Sequence, residues 1–320
     1  MEALGFTGTC TPCAATLHLL FRALDPAALE EALGRWAEGV LAATPGPEGA
    51  IEGLACDGKA LRGSREQGAP GAHLLAVVSQ RLGLTVAQES VDDKTNEIPV
   101  LPGVLRGVVL KGRVVTVDAL LTQRAVAATV LDSWGDYVMV AKDNQAGLRD
   151  TITAVLATPP HLAAPPETAQ TLDRGHGRIE RHRLTVRALL PGDCAWPGAR
   201  QVFVVERHVV VKKTGTERHE RVYGVTSLAP ERARAREILP LLRGHWHIEN
   251  RTHWVRDVTF DEDRSPVRTG AIPQIMAALR NTTIGLLRAA GATNIAAAGR
   301  HYAAQPRAAL ALITTPPRTK

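Results

Sequence analysis

Apolar and polar positions follow two periods along this chain, and the places where one gives way to the other predict its elements. Residues 14–41 keep a helical period and read as two helices. Asp25-Pro26 starts the second, with proline at the first helical position, where no backbone N–H is needed. Residues 43–49, with Pro45 and Pro47, read as a linker. Strands are expected at 50–56, 73–80 and 84–91, the last two joined by a turn at 81–83. A helix near 97–106 is interrupted by Pro99 and Pro102. Strand 113–118, helix 123–133, strand 136–141 and helix 145–156 follow. Three strands in series and then alternating strand and helix predict a mixed α/β fold. Residues 159–166 read as a second linker. Residues 178–187 and 201–226 then alternate with period two, with a turn at 213–215, and predict a β-rich insertion. A helix over 231–255 is expected to kink or split at Pro240. A helix over 272–290 offers Met276, Leu279, Ile284, Leu286 and Leu287, mostly to a core, and residues 314–320 read as a loose polar tail.

Composition narrows the class. With 320 residues, 45% hydrophobic and 22% charged, the chain can bury a large core. It holds no apolar run of membrane-spanning length and no signal-peptide pattern, so a cytoplasmic protein with no membrane partner is expected. Four cysteines fit a reducing compartment. Cys10 and Cys13 form a C-x-x-C, but Cys56 and Cys194 make no second pair, which argues against a four-cysteine zinc site.

The net charge of +6 is localised. Between Arg174 and Arg221 stand 11 lysines and arginines against five acids, an excess equal to that of the whole chain. Such a stretch suggests a polyanion, most simply the DNA backbone, or else a solubilising surface. Aromatics are only 4% of residues, so no base-stacking platform of the single-strand-binding type is expected.

Three carboxylates carry the candidate chemistry. Asp57 follows a short apolar run and precedes Gly58, the pattern of a strand ending in a turn. Asp118 ends the β-branched run Val114-Val-Thr-Val117. An ionised carboxylate at the end of a buried strand is expensive unless a cation or hydrogen bonds satisfy it. Glu249 lies in the run His245–Asp263, where His245, Glu249 and His253 fall at i, i+4 and i+8 on one helical face with Arg256 close to the stripe. Either aspartate alone could be a cap or a turn former, and Trp246 and Trp254 could be core. Together the three acids make a hard oxygen set suited to Mg²⁺ or Mn²⁺.

Several stretches taken in order resemble one family. They are Asp57-Gly-Lys-Ala-Leu-Arg-Gly63, Val117-Asp-Ala with Thr122-Gln123, Gly135-Asp-Tyr-Val138 with Asn144-Gln145, and Gly175-His-Gly-Arg-Ile-Glu180. Tyr223-Gly-Val-Thr-Ser-Leu228, the His245–Asp263 run, and Arg268-Thr-Gly270 with Met276-Ala-Ala-Leu-Arg-Asn281 complete them. Across roughly residues 10–310 the chain resembles the DDE transposases of bacterial insertion sequences, in the group that includes the H-repeat-associated proteins. It departs from them at Leu121, where histidine is common, and at Asp143, where glycine is common. Family members also carry a longer N-terminal segment.

The resemblance implies a ribonuclease-H-like mixed sheet flanked by helices, with a β-rich insertion before the helix carrying the catalytic glutamate. Its parts would be an N-terminal helical segment 1–45, a catalytic core of 46–160 and 230–295, a basic insertion 161–229, and a C-terminal helix and tail 296–320. It also implies a catalytic, metal-binding triad of Asp57, Asp118 and Glu249. Two Mg²⁺ ions, or Mn²⁺ in their place, would support phosphodiester cleavage and strand transfer at element ends. The expected partner is double-stranded DNA, of element ends and target, which could be held by a homodimer. Lys59, Arg62, Lys142, His245 and Arg256 are candidates to hold phosphates or orient water, with Arg178, Arg181 and Arg183 of the basic stretch as further DNA contacts. Asn144 and Gln145 could instead cap the following helix. The rival readings are a metal-dependent nuclease without strand joining and a non-enzymatic DNA-binding remnant. A zinc hydrolase on His245, His247 and His253 is weaker, because His245 and His247 point to different helix faces.

Overall fold

The computed structural model describes residues 11–65, 71–92, 94–159, 161–175 and 177–314. Cys10 and most of the expected polar tail lie outside them. Helices α1 (Ala14–Ala23) and α2 (Pro26–Ala43) form as the period predicts. The Asp25 carboxylate accepts from Ala27 N and Ala28 N at 2.9 and 3.3 Å, an N-cap worth about 1 kcal/mol.

Strands β1 (Gly53–Ala60), β2 (His73–Ser79) and β3 (Thr85–Val91) follow as two antiparallel hairpins. Then come α3 (Glu97–Arg106), β4 (Val114–Val117), α4 (Arg124–Asp132), β5 (Asp136–Ala141) and α5 (Ala146–Ala157). Strands β1, β4 and β5 are parallel neighbours. The four strands β6 (Glu167–Gly175), β7 (Arg178–Ala188), β8 (Gln201–Val211) and β9 (Glu217–Thr226) form an antiparallel meander. Because β9 pairs with β5, the meander extends the same sheet, giving nine strands in the order β3-β2-β1-β4-β5-β9-β8-β7-β6.

After the sheet come α6 (Ala235–His245), a π-helical stretch Ile248–His253, and α7 (Trp254–Val258). Helices α8 (Ile272–Ala289), α9 (Ile295–Ala304) and α10 (Pro306–Thr314) close the described chain. Its C-terminal end is therefore two helices rather than one. Of the five expected core residues of α8, Ile284 and Leu287 are buried, whereas Met276, Leu279 and Leu286 are only half-buried.

Strand alternation sorts the core into two layers. Leu54 and Cys56 of β1 and Val115 and Val117 of β4 pack with α2 to α5 on one face. Val114 and Val138 pack with Ile238, Leu239 and Leu241 of α6 on the other, while Ala55, Ala76 and Val78 receive Ile248. Among the described residues, no helix is long and apolar enough to cross a membrane.

Four local expectations are corrected. β1 does not stop at Asp57-Gly58 but pairs with β2 as far as Ala60. Gly58 serves close approach rather than a turn, since a Cβ there would collide with Glu97 Oε1. β6 was not expected, because as the outermost strand it is largely exposed and its polar residues fall on both faces. Pro240 does not interrupt α6, its ring lying on the exposed side of the helix. The backbone widens instead after Trp246.

Candidate active site

The three acids are carried by three elements whose packing turns them toward one region. In the parallel ladder Cys56 is the register partner of Val117, and both point into the α2–α5 layer. Asp57 comes next on β1 and Asp118 immediately after the end of β4, so by alternation both turn toward the opposite layer, the one built by α6 and the π-helical stretch. Ile248 anchors that stretch by packing on Ala55, Ala76 and Val78, and Glu249 follows it. Asp57 Oδ1 accepts from Gly58 N at 2.9 Å, and Asp118 Oδ1 accepts from Leu121 N at 3.0 Å.

Burial pushes the Asp57 carboxyl up to about 7, and the charges of Asp118 and Glu249 add to the shift. The neighbouring cations do not relieve it. Lys59 is nearly buried, with Nζ 2.6 and 2.8 Å from the two carboxylate oxygens of Asp257. Arg256 is fully buried and donates from Nε to Glu262 Oε2 at 2.8 Å; Arg280 donates to the other oxygen at 3.0 Å. The expectation that Lys59 and Arg256 hold phosphates is therefore corrected: both are used up in buried pairs that tie α7 to β1 and to the 262–264 turn. Clustered carboxylates with the nearest cations already paired fit a divalent cation, by the chemistry of the donor set. They form a looser set than one whose ligand atoms all lie within 4.8 Å.

The histidine stripe does not survive as drawn, because the π-helical turn changes the angle per residue. His245 Nδ1 lies 3.1 Å from Thr116 Oγ1 beside the end of β4, and burial lowers its pKa. It is a local prop and not a free phosphate contact. His253 is buried with Nδ1 3.6 Å from Asp57 Oδ2. Burial first, then Arg256 and Lys59, bring it down to about 3, so it stands neutral against Asp57 rather than as its counter-ion. Glu249 is exposed instead and lines a cleft of about 680 Å³.

The opposite wall of that cleft comes from the meander. Arg178, His182 and Arg207 line it with Arg243 and Trp246. The Arg207 guanidinium lies 5.8 Å from the Trp246 ring centroid, and His182 is buried with neither ring nitrogen hydrogen-bonded. The same alternation divides the basic stretch. Arg178 faces this cleft, while Arg181 and Arg183 face the other side of the sheet with His208 and Arg221. Arg62 and Lys142 remain exposed.

Asn144 and Gln145 do not cap α5. Asn144 Nδ2 donates to Ala119 O at 2.6 Å and Gln145 Nε2 to Thr122 O at 3.0 Å, which braces the loop after Asp118. Leu121, in the same loop, is buried in the core.

Sequence reasoning missed Gln80 and Glu97. Gln80 Nε2 donates to Thr116 Oγ1 at 2.8 Å and to Leu241 O at 3.1 Å, and a Cβ on Gly53 or Gly244 would collide with its amide oxygen. It fixes the end of α6 against the central strands. Glu97 is nearly buried, pairs with His73 at 2.8 Å, and adds to the negative charge around Asp57. A lone glutamine and a first-turn glutamate carry no motif that could have marked them.

The sequence profile of the transposase DDE domain matches residues 48–286. The chain is 28% identical over 272 residues to the presumed transposase YncI of Escherichia coli O157:H7, covering 83% of this chain and 68% of that one. It is 28% identical over 251 residues to the presumed H repeat-associated transposase YhhI of Escherichia coli K12, covering 73% of this chain and 63% of that one. It is 35% identical over 195 residues to an uncharacterized protein of the dhlA 3′ region of Xanthobacter autotrophicus, covering 60% and 64%. The matches thus span about two thirds of the relatives' length. A piggyBac transposase synaptic complex with hairpin DNA aligns with a TM-score of 0.39 and 13% identity over 75% of this chain and 47% of that one, a likeness too slight to build on. With the profile running from before Asp57 to beyond Glu249, the chain belongs to the DDE transposase family, alongside relatives that include H repeat-associated proteins.

Proposed function

We propose that this chain is a DNA transposase that cleaves phosphodiester bonds at the ends of an insertion sequence and joins them to target DNA. One observation carries the reading: the Cys56–Val117 register sets Asp57 and Asp118 abreast on the face where the Glu249 stretch packs. The strand order β3-β2-β1-β4-β5, with β1, β4 and β5 parallel, supports a ribonuclease-H-like core of residues 46–160 and 230–295. Residues 161–229 are its basic insertion, 1–45 its N-terminal segment and 296–320 its C-terminal part.

Asp57, Asp118 and Glu249 would hold two Mg²⁺ ions, or Mn²⁺, and the bound ions would activate water or a DNA 3′-hydroxyl and stabilise the leaving oxygen. The chain's own residues do the rest. The backbone N–H groups of Gly58 and Leu121 fix one oxygen of each aspartate, leaving the other available as a ligand. Ile248 and Gln80 hold the Glu249 segment against the strands. Arg178, Arg207 and Arg243 line the cleft beside Glu249; they pair with Glu180 and Asp173 but stay a third or more exposed, unlike Lys59 and Arg256, and suit the backbone of double-stranded DNA, with Arg62 and Lys142 as further exposed contacts. A homodimer bridging two element ends is part of the same proposal, as is a place in the cytoplasm.

The test is metal-dependent cleavage and strand transfer by purified protein on DNA bearing the element's terminal repeats. Asp57→Asn is expected to abolish both reactions and to leave DNA affinity nearly unchanged, because it removes a metal ligand and no phosphate contact. Cleavage without joining would reduce the proposal to a nuclease. Tight binding with no cleavage in Mg²⁺ or Mn²⁺ would make the chain a binding remnant.

A further inference from the structure

On the side of the meander that faces away from the cleft, three ligand-type side chains meet. His208 and His219 are direct register partners across the antiparallel β8–β9 ladder, and Glu217 lies two residues before His219 on the same face. His208 Nε2 is 3.0 Å and His219 Nε2 is 3.6 Å from Glu217 Oε2. One ligand atom from each residue lies within 4.8 Å of the others, and among the described residues this is the group that does so. The two imidazoles are stacked, with centroids 4.1 Å apart and planes 12° from parallel.

We propose that His208, Glu217 and His219 form a binding site for a divalent transition-metal ion of the zinc class, separate from the carboxylate site. The donor set decides the class. Two imidazoles and one carboxylate suit Zn²⁺, Co²⁺, Ni²⁺ or Cu²⁺, whereas Mg²⁺ prefers oxygen alone. The spacing agrees. Ligands about 2.0–2.1 Å from a tetrahedral zinc are about 3.3 Å from each other, close to the two separations to Glu217. The remaining adjustment falls on His219, whose side chain is 70% exposed and free to turn its ring. Three protein ligands leave a fourth position for water or an anion. Arg181, the β7 register partner of His208, stands beside it and favours an anionic occupant there.

The ion would staple the two strands across the 212–216 turn and stiffen the hairpin that continues the sheet. Without an ion, Glu217 takes the place of the metal by bonding His208, which holds its own carboxyl below the usual range.

Tag-free protein carrying Asp57→Asn and Cys13→Ser, which weaken the carboxylate and C-x-x-C alternatives, is titrated with Zn²⁺ by calorimetry and with Co²⁺ by visible absorption. The expected result is one ion per chain, Co²⁺ bands typical of low coordination number, and no competition from millimolar Mg²⁺. His208→Ala, His219→Ala and Glu217→Gln should each weaken binding at least about tenfold, since loss of a direct ligand costs no less than loss of an outer one. Circular dichroism shows whether each variant keeps its sheet, and the exposure of Glu217 and His219 favours that. No ion bound, or an affinity that survives both histidine substitutions, would overturn the proposal. It stands or falls apart from the transposase reading, because no activity enters the measurement.

Discussion

Asp57 stands directly beside Asp118, because each follows one member of the Cys56–Val117 pair in the parallel ladder. Backbone register thus sets the two groups side by side, and the N–H groups of Gly58 and Leu121 hold one oxygen of each. Burial and this proximity raise the Asp57 carboxyl from its ordinary range to about 7.

The stability consequence has a definite sign. A carboxyl with a raised folded pKa takes up a proton on folding between its unfolded value, about 4, and about 7, so its contribution is full below pH 4 and is lost as pH rises through 7. Asp57→Asn removes that dependence. Without divalent metal the variant should match wild type near pH 4 and exceed it at pH 8 by up to about 4 kcal/mol. Urea unfolding of both proteins across this range checks it. Added Mg²⁺ should narrow the gap by stabilising wild type alone. A gap that stays constant with pH would show that Asp57 is ionised throughout.

Glu262 is 2% exposed and bonds two arginines, Arg256 and Arg280. Removing it strands the fully buried Arg256 charge. Glu262→Ala is expected to cost about 3–5 kcal/mol, the usual range for breaking a buried pair from one side. Denaturant unfolding measures the loss. A cost below about 1 kcal/mol would mean that water reaches Arg256.

Much of this could be read from the sequence, and the failures have physical causes. The series of strands and helices was legible because the core strands are short apolar runs, fully β-branched in β4, and α2 carries its own cap, Asp25. Asp57 and Asp118 stood out in the sequence because each follows an apolar run, and Glu249 because histidines, tryptophans and Arg256 flank it. The edge strand β6 was not, since one face meets water and the other, Ala169, Thr171 and Asp173, is half-buried against α6 but mostly polar, so no apolar alternation marks it. Lys59 and Arg256 were misread because a lysine or arginine near an acid looks the same in sequence whether it faces DNA or an internal partner. The partners, Asp257 and Glu262, lie 198 and six residues away. The division of Arg178 from Arg181 and Arg183 follows from simple alternation, but only a placed sheet says which face meets Glu249.

That division predicts which arginines carry DNA. Arg178 and Arg207 line the cleft beside Glu249, whereas Arg181 and Arg183 face away from it. Arg178→Ala with Arg207→Ala should weaken binding to any sequence and flatten the log–log salt slope by about two, roughly one per lost phosphate contact. Arg181→Ala with Arg183→Ala should leave the slope nearly unchanged. Affinities at several salt concentrations compare the two. The reverse result would put the DNA path on the outer face of the meander.

Lys59 and Asp257 predict a coupling between the two halves of the site. Lys59 lies two residues after Asp57 on β1, and Asp257 lies on α7, which continues the π-helical stretch bearing Glu249, so their ion pair ties the strand bearing one acid to the helix that follows another. The pair is poorly solvated on the lysine side, where only 9% of the side chain is exposed. Lys59→Met and Asp257→Asn should each slow cleavage more than they weaken DNA binding, since neither group reaches the cleft. Combining them should cost less than the sum, because Asp257→Asn alone strands the nearly buried Lys59 charge and Lys59→Met alone leaves the half-buried Asp257 without its partner. A double-mutant cycle on stability is expected to give a coupling of about 1–3 kcal/mol, well above the few tenths seen for independent sites. Additive effects would mean that the two residues hold β1 and α7 independently and that the bridge does not orient Glu249.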